Sequence, residues 1–229
     1  SLYKKALDIW RAAYGSDHAD VAKGLNNLAL LSHHQDRHDE AKPLYREAIE
    51  IYERVLGPDH PRLATALNNL ALVYQEQGDF GSADPLYARA LKVREKVLGP
   101  DHPDVAQTLI NLANMRRDQG RYGEAELFYN RALEIRRQAL GDDHPDVAWS
   151  LRDLGNLKAA RNDYTAAMEY HRRAVDIYER SLGADHPDLA EILPDYIEVL
   201  YNVGREAEAD SLALRVVENQ GDLEDVEGD

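Results

Sequence analysis

The sequence repeats itself every 42 residues without a break in register. A glycine marks each copy, and the five are Gly15, Gly57, Gly99, Gly141 and Gly183. An Asp-His pair follows each glycine at a fixed offset, from Asp17-His18 to Asp185-His186, and a proline comes next in every copy except the first. A period of this length indicates an array of small structural units that bury their apolar faces against one another.

Each period contains two stretches with the spacing of an amphipathic helix. In the second full copy, the apolar residues of the first stretch, helix A, are Ala64, Leu67, Leu70, Ala71 and Tyr74. Gln77-Gly78-Asp79 breaks the pattern. The second stretch, helix B, holds Ala83, Leu86, Tyr87, Ala90, Leu91 and Val93. The unit is therefore helix A, a short turn, helix B and a Gly-x-Asp-His-Pro linker.

The linker residues are suited to ending one helix and starting the next. Glycine just past a helix end adopts a left-handed conformation at low cost, and proline at a first helical position sacrifices no hydrogen bond. An acidic residue such as Asp104 then lies in the first turn, where the helix dipole favours negative charge. The linker histidines are interpreted as stabilising this turn, because stacked helices about 8–10 Å apart hold equivalent side chains too far apart to share a metal ion.

Small residues recur where the two helices of a unit have to approach closely. Ala71 on helix A and Ala83 on helix B lie twelve residues apart, and equivalent small residues occur in the other copies. We expect Ala71 and Ala83 to be buried at a close helix crossing, with the tyrosines of helix B filling the wider gaps.

The pattern resembles the tetratricopeptide repeat (TPR). The residues that match that family's positions in the second full copy are Leu67, Leu70, Ala71, Tyr74, Ala83, Tyr87 and Ala90. The 42-residue spacing, the L-N-N-L-A run at 67–71 and the L-G-P-D-H-P linker at 56–61 look like the kinesin-light-chain type. The resemblance implies an all-α fold, an α-solenoid of helix-turn-helix repeats wound into a right-handed superhelix.

The period divides the chain into segments. Residues 1–14 are interpreted as helix B of an incomplete N-terminal repeat. Tyr3, Leu7 and Ile9 are expected to pack on the next helix A, and the opposite side of the helix, with Trp10, is expected to lack its natural neighbour. Four full repeats are predicted at 20–57, 62–99, 104–141 and 146–183. A divergent capping repeat is predicted at 188–218, and the acidic, aperiodic residues 219–229 are expected to be disordered.

Composition narrows the functional classes. The net charge is −15, so we expect neither nucleic-acid binding nor attachment to anionic membranes. Without Cys there is no disulfide and no thiol chemistry. No apolar run is long enough to span a bilayer and no signal peptide is visible, which favours a cytoplasmic location, with Ser1 as the start of a processed product or a segment of a longer chain.

The side of helix A that faces away from helix B carries the candidate binding residues. In arrays of the TPR kind this side lines a concave groove. The candidate groove residues are Asn26, Asn27, Leu30, Asn68, Asn69, Leu72, Asn111, Asn114, Arg117, Trp149, Arg152 and Asn156. Asn amides both donate and accept hydrogen bonds and can hold an extended peptide backbone. The alternative is that the Asn residues only join helices of neighbouring repeats.

Charge and aromatic residues suggest the kind of partner. Trp149 with Arg152 is a candidate hot spot, since Trp and Arg are enriched at such positions. Arg117 and Arg152 predict local positive character that accepts a carboxylate. The expected partner is a protein or peptide with an apolar anchor beside acidic residues, although Asp153 replaces the Asn of the other repeats. Arg94 on helix B is assigned to the opposite, outer face.

The remaining candidates are catalytic and metal sites. His33, His34 and His38 are close in sequence, but the turn between the two helices separates His34 from His38, so exposed surface is favoured over a weak metal site. Motifs for nucleophilic catalysis and phosphate binding are absent. We therefore expect no enzymatic activity, metal or cofactor. The predicted function is a protein–protein interaction scaffold or adaptor. A regulatory or sensor segment of a larger multidomain signalling or effector protein and a histidine-based metalloenzyme are the alternatives.

Overall fold

The computed structural model describes residues 2–184, 186 and 189–226, and this part of the chain contains eleven helices and no strand. The helices are α1 (Leu2–Tyr14), α2 (Ala19–His33), α3 (His38–Leu56), α4 (Pro61–Glu76), α5 (Phe80–Leu98), α6 (Pro103–Asp118), α7 (Tyr122–Leu140), α8 (Pro145–Ala160), α9 (Tyr164–Leu182), α10 (Leu189–Asn202) and α11 (Glu206–Val226). The all-α prediction is confirmed. None of the described helices combines the length and apolar character needed to span a membrane.

The chain divides into two compact units, residues 1–115 and 116–229, and the division falls within α6. In the first unit, α1 packs on α2, α2 on α3, α3 on α4 and α4 on α5. In the second unit, the same succession runs from α7 to α11. Each helix thus contacts mainly its neighbours in sequence, as expected for an array of helical hairpins.

Small residues and tyrosines build the core of the hairpin formed by α4 and α5. Ala71 and Ala83 are both fully buried, which confirms the predicted crossing. The Tyr87 ring is also fully buried, and its hydroxyl donates a hydrogen bond to Oε1 of Gln75 over 2.9 Å. The tyrosine therefore fills the core and satisfies its polar end, as buried phenols require.

The linker histidines cap the helices that follow them. Nδ1 of His60 accepts a hydrogen bond from the Arg62 amide at 3.1 Å, and Pro61 occupies the first helical position. His18, His102 and His144 accept the equivalent bond at 3.1–3.2 Å. Gly57 ends the preceding helix with φ 86° and ψ 170°, a backbone conformation that is nearly restricted to glycine. The interpretation of the linker histidines as turn-stabilising residues is confirmed for these four.

Both ends of the chain differ from their predictions in detail. Leu7 and Trp10 pack against Gly24 of α2, so the expectation that Trp10 lies on the uncovered side was wrong. Ile9 is 66% exposed, so the prediction for Ile9 was wrong as well. Ile9 lies two residues after Leu7, which places it on the opposite side of the helix. The predicted packing of Tyr3 concerns a side chain outside the described part of the chain. Helix α11 continues to Val226, so residues 219–226 of the expected disordered tail are helical. No proline interrupts them, and a single internal glycine costs only about 1 kcal/mol. Residues 227–229 lie outside the described part.

Candidate functional site

Eight of the predicted groove residues belong to the first unit. Asn26, Asn27 and Leu30 lie on α2, and the equivalent Asn68, Asn69 and Leu72 lie on α4. Asn111 and Asn114 lie on α6. Spacings of three and four residues place Asn26, Asn27 and Leu30 on one side of their helix, because such residues are neighbours on a helix surface.

Two of these asparagines join consecutive repeats. The amide nitrogen of Asn111 donates to Oδ1 of Asn68 over 3.0 Å, and both side chains are at least 90% buried. Nε2 of Gln107 donates to Oδ1 of Asn111 at 3.3 Å. The alternative interpretation, helix-to-helix bonding, therefore holds for Asn68 and Asn111, since a buried amide that already bonds a neighbouring repeat is not free to hold a ligand.

The asparagines nearer the N-terminus behave differently. Asn27 and Asn69 are partly exposed, and neither side chain forms a hydrogen bond with any described residue. Oδ1 of Asn26 is buried without a partner, although its equivalent in the next repeat, Asn68, accepts from Asn111. The bond that Asn69 would make to Asn26 by repetition is thus not formed. Two amides in equivalent positions keep their full hydrogen-bonding capacity.

An apolar residue accompanies each of these free amides. Leu30 follows Asn27 by three residues, Leu72 follows Asn69 by three, and both leucines are only partly buried. An amide and an apolar side chain thus lie together once on α2 and once on α4. Such an arrangement can bind a peptide main chain through the amides while apolar side chains of the peptide pack on the leucines.

The other predicted residues belong to the second unit, where Trp149, Arg152 and Asn156 lie on α8. The Arg152 guanidinium stacks 4.8 Å from the Trp149 ring centroid. Nε of Arg152 donates to Oδ2 of Asp195 at 2.6 Å, and the Asn156 amide donates to the same oxygen at 2.9 Å. The three side chains are brought together, but Arg152 already has a carboxylate partner.

Acidic side chains lie beside the arginines of this region, which the sequence had predicted to be positively charged. Arg117 forms an ion pair of 3.4 Å with the adjacent Asp118. Burial raises the pKa of Asp153 to about 6, while Arg152, Arg117 and Arg136 oppose the rise and Asp195 adds to it. The predicted positive stretch is therefore a network of alternating charges, in which an incoming carboxylate has to compete with Asp195.

Two features of these surfaces were missed from the sequence. The first is Asp195, which lies 42 residues after Asp153 and so occupies the equivalent position of the next repeat. It was missed because Pro194 inside α10 made that repeat look divergent in the sequence. A cleft of about 360 Å³ lies on the first unit, and the residues that line it include Leu67, Leu70, Tyr74, Pro85 and Leu86. The recurring Pro-Leu pair, which is also present at Pro43-Leu44, was the signal for this cleft.

Comparison with family models identifies the repeat. The model described as tetratricopeptide repeat matches residues 1–51, 20–96, 63–138 and 116–180. The chain belongs to the tetratricopeptide repeat family. A comparison with the sequences of curated proteins finds no match.

Solved structures share this fold. BtubC (BKLC) from P. vanneervenii superimposes with a TM-score of 0.82 at 23% identity, covering 97% of this chain and 89% of its own. A Podosopora anserina protein with nearly identical TPR-like repeats of the kinesin-light-chain kind gives 0.74 at 22% identity, covering 90% and 98%. A Rap protein complexed with Competence and Sporulation Factor gives 0.73 at 20% identity, covering 89% and 55%. At these identities the likeness concerns the fold, and it includes kinesin-light-chain-like repeats.

Proposed function

We propose that this TPR chain is a protein–protein interaction scaffold that holds a peptide or helix of a partner against helices α2 and α4. The observation that carries the proposal is the pair of partly exposed, unbonded amides at Asn27 and Asn69, each beside a partly exposed leucine. Polar groups inside a folded array are normally bonded, as Asn68 and Asn111 are. Two unused amides at equivalent positions are suited to a ligand that runs along consecutive repeats.

The fold supports this kind of activity. A structure of similar fold, the Rap protein, was solved with Competence and Sporulation Factor bound, so arrays of this kind accommodate a second molecule. The partner proposed here is a protein or peptide with an apolar anchor beside acidic residues. The leucines at 30 and 72 of the first unit receive the anchor. Arg152 beside Trp149 forms a separate cationic and aromatic surface on the second unit, which is proposed to attract acidic peptides on its own.

Selection of peptides on the immobilised protein tests the proposal. A displayed library of random 15-residue peptides is enriched, and the affinity of the best sequence is measured by fluorescence anisotropy. Asn27→Ala and Asn69→Ala each weaken binding about fivefold, because a lost hydrogen bond contributes about 1 kcal/mol. Asn130→Ala is the matched control, since Asn130 is an exposed helix B residue whose amide bonds only the Glu126 carbonyl of its own helix.

Two results of this experiment would contradict the proposal. If Asn27→Ala and Asn69→Ala bind the selected peptide like the wild type while Asn130→Ala weakens it, the partner uses another surface. A library that yields no binder above background also contradicts the proposal.

The charge preference is tested separately. Asp195→Asn removes the negative charge that pairs with Arg152 and leaves the amide of Asn156 without its carboxylate acceptor. The variant binds acidic peptides more tightly than the wild type, and the gain is smaller at high salt because exposed charges are screened. Equal affinities at low salt would show that Arg152 does not contact the ligand.

A further inference from the structure

A cluster of potential metal ligands lies where the first and second full repeats meet. His33 is the last residue of α2, His38 is the first residue of α3 and Glu76 is the last residue of α4. One ligand atom from each of them lies within 4.8 Å of the other two. Nε2 of His33 is 2.6 Å from Oε2 of Glu76, and Nδ1 of His38 is 3.9 Å from the same oxygen.

The burial of the cluster differs from the expectation of an exposed histidine surface. The His33 residue is 7% exposed, so it is part of the interior, while its neighbour His34 is exposed as expected. The prediction was wrong for His33 because Glu76, 43 residues later, packs against it from the next repeat.

The other repeats do not place histidines at these positions. The equivalents of His33 are Gln75, Arg117 and Ala159, and those of His38 are Phe80, Tyr122 and Tyr164. The start of helix B thus carries an aromatic ring in every other full repeat and an imidazole only here. Both donors are specific to the first full repeat, so the repeat architecture itself does not require them.

Two polar atoms at the cluster lack partners. Nδ1 of His38 is buried without a hydrogen bond, and so is the hydroxyl of Tyr45. In the next repeat, the equivalent tyrosine, Tyr87, donates to Gln75, whose place is taken here by His33. Buried polar atoms without a partner are uncommon in folded proteins and call for a specific explanation.

We propose that His33, His38 and Glu76 form a binding site for one divalent transition-metal ion of the Zn²⁺ class. Two imidazole nitrogens and one carboxylate oxygen form a ligand set that Zn²⁺ accepts, with a fourth position left for water. In a tetrahedral site with metal–ligand distances of about 2.0–2.1 Å, ligand atoms lie about 3.3 Å apart. To reach that geometry, Nε2 of His33 and Oε2 of Glu76 move apart by less than 1 Å, and Nδ1 of His38 moves closer to the same oxygen by a similar amount. Nδ1 of His38 then gains a partner.

The bound ion joins three helices. It connects both helices of the first full repeat to helix A of the second and so stabilises the packing of these repeats. A ligand that binds only the folded state raises the melting temperature in proportion to the logarithm of its concentration above Kd. The site lies at the helix ends, whereas Asn27 and Asn69 lie within α2 and α4, so metal binding and peptide binding are separable measurements.

Metal titration of the untagged, EDTA-treated protein is the test. Zn²⁺ is titrated by calorimetry, and Co²⁺ binding is followed by its visible absorption, which is intense when the ion is tetrahedral. The wild type binds one equivalent of each ion, and the melting temperature rises with added Zn²⁺. His38→Phe and His33→Gln introduce residues that the second repeat already uses, so they preserve the fold, and each lowers the affinity at least tenfold.

His34→Ala is the matched control, because His34 is exposed, stacks beside His33 and lies outside the ligand set. This variant binds Zn²⁺ like the wild type. Absence of uptake by the wild type overturns the proposal and leaves His33 and Glu76 as a hydrogen-bonded pair. Unchanged affinity in both His38→Phe and His33→Gln, with circular dichroism showing native helix content, also overturns it, even if Zn²⁺ binds elsewhere.

Discussion

The imidazole of His171 lies directly against the backbone of Gly155. A Cβ at Gly155 would come within 2.8 Å of Nε2 and Cε1 of His171, closer than real Cβ contacts allow. His171 is fully buried and stacks on Tyr196 with ring centroids 6.3 Å apart. The three preceding full repeats hold an alanine and a tyrosine at these two positions. The fourth repeat has replaced both, and the loss of one Cβ makes room for a differently shaped ring.

Gly155→Ala is therefore expected to destabilise the second unit, although alanine favours helix formation by about 1 kcal/mol over glycine. The added methyl group overpacks a filled site, at a typical cost of about 1–3 kcal/mol. Gly123→Ala in α7 is the matched control, since a Cβ added at Gly123 would meet no other atom within 4 Å, so this variant gains only the helix preference. Urea unfolding distinguishes the two, and equal stabilisation by both would show that His171 moves aside without cost.

His171 is also expected to make stability depend on pH. Burial lowers the pKa of His171 from 6.5 to about 4, with Asp195 opposing the shift and Arg152 adding to it. The unfolded chain therefore binds more protons between about pH 6.5 and pH 4, so the free energy of unfolding falls as the pH falls through that window. His171→Tyr, which restores the residue of the other repeats, removes this component. The measurement is the difference in unfolding free energy between variant and wild type as a function of pH.

Asp153 produces the opposite dependence in the same unit. Its pKa is raised from 3.8 to about 6, chiefly by burial, so the folded state binds more protons between about pH 4 and pH 6. The free energy of unfolding then falls as the pH rises through that window, and this partly cancels the effect of His171. Asp153→Asn, the residue of the preceding repeats, removes the cost, and the variant becomes more stable than the wild type above pH 6. Matching pH profiles for Asp153→Asn and wild type would rule out a buried carboxyl here.

The sequence predicts the hairpins and their linkers well, because both depend on local rules. Helical spacing, small residues at the crossing and the Gly-x-Asp-His-Pro linker act within one period, and the structure confirms Ala71, Ala83 and the capping role of His60.

Contacts between repeats were harder to predict. His33–Glu76, Asn68–Asn111 and Arg152–Asp195 are each separated by 43 residues, not 42. Consecutive A helices are staggered so that a residue meets the position one beyond its own equivalent. Alignment of the copies on their period compares equivalent residues and does not show which residues touch. This offset explains why Asn68 was assigned to a groove and why the partners of His33 and Arg152 were missed.

The capping histidine gives a further prediction for the linker. Nδ1 of His60 accepts from the Arg62 amide at the start of α4. His60→Ala leaves that amide without its protein acceptor and is expected to cost about 0.5–2 kcal/mol, whereas His60→Asn supplies another capping acceptor and costs less. Thermal unfolding of both variants checks the role, and a larger loss for Asn than for Ala would contradict it.

Arg94 was assigned to the outer face of helix B, and this assignment was wrong. The residue is only 6% exposed, and its Nη1 donates to the carbonyl of Asp104 at 2.9 Å and to Oγ1 of Thr108 at 2.6 Å. Helix B is covered there by the first turn of the next helix A, so a residue that faces away from its own hairpin becomes internal. Arg136 makes the equivalent bonds to the Asp146 carbonyl and to Oγ of Ser150 in the second unit. Burial lowers the pKa of both arginines, against the attraction of Asp104 and Asp146.

Arg94→Ala is expected to lower the free energy of unfolding by about 2–4 kcal/mol. The substitution removes charge-assisted hydrogen bonds and leaves a cavity beneath the first turn of α6, and both effects are costly in a buried site. Lys92→Ala is the matched control, because Lys92 is an exposed cation on the same helix and its removal changes stability by less than about 0.5 kcal/mol. Urea unfolding followed by circular dichroism measures both variants. If Arg94→Ala lowers the free energy of unfolding by less than about 1 kcal/mol, the hydrogen bonds of the guanidinium do not stabilise the packing of the two repeats.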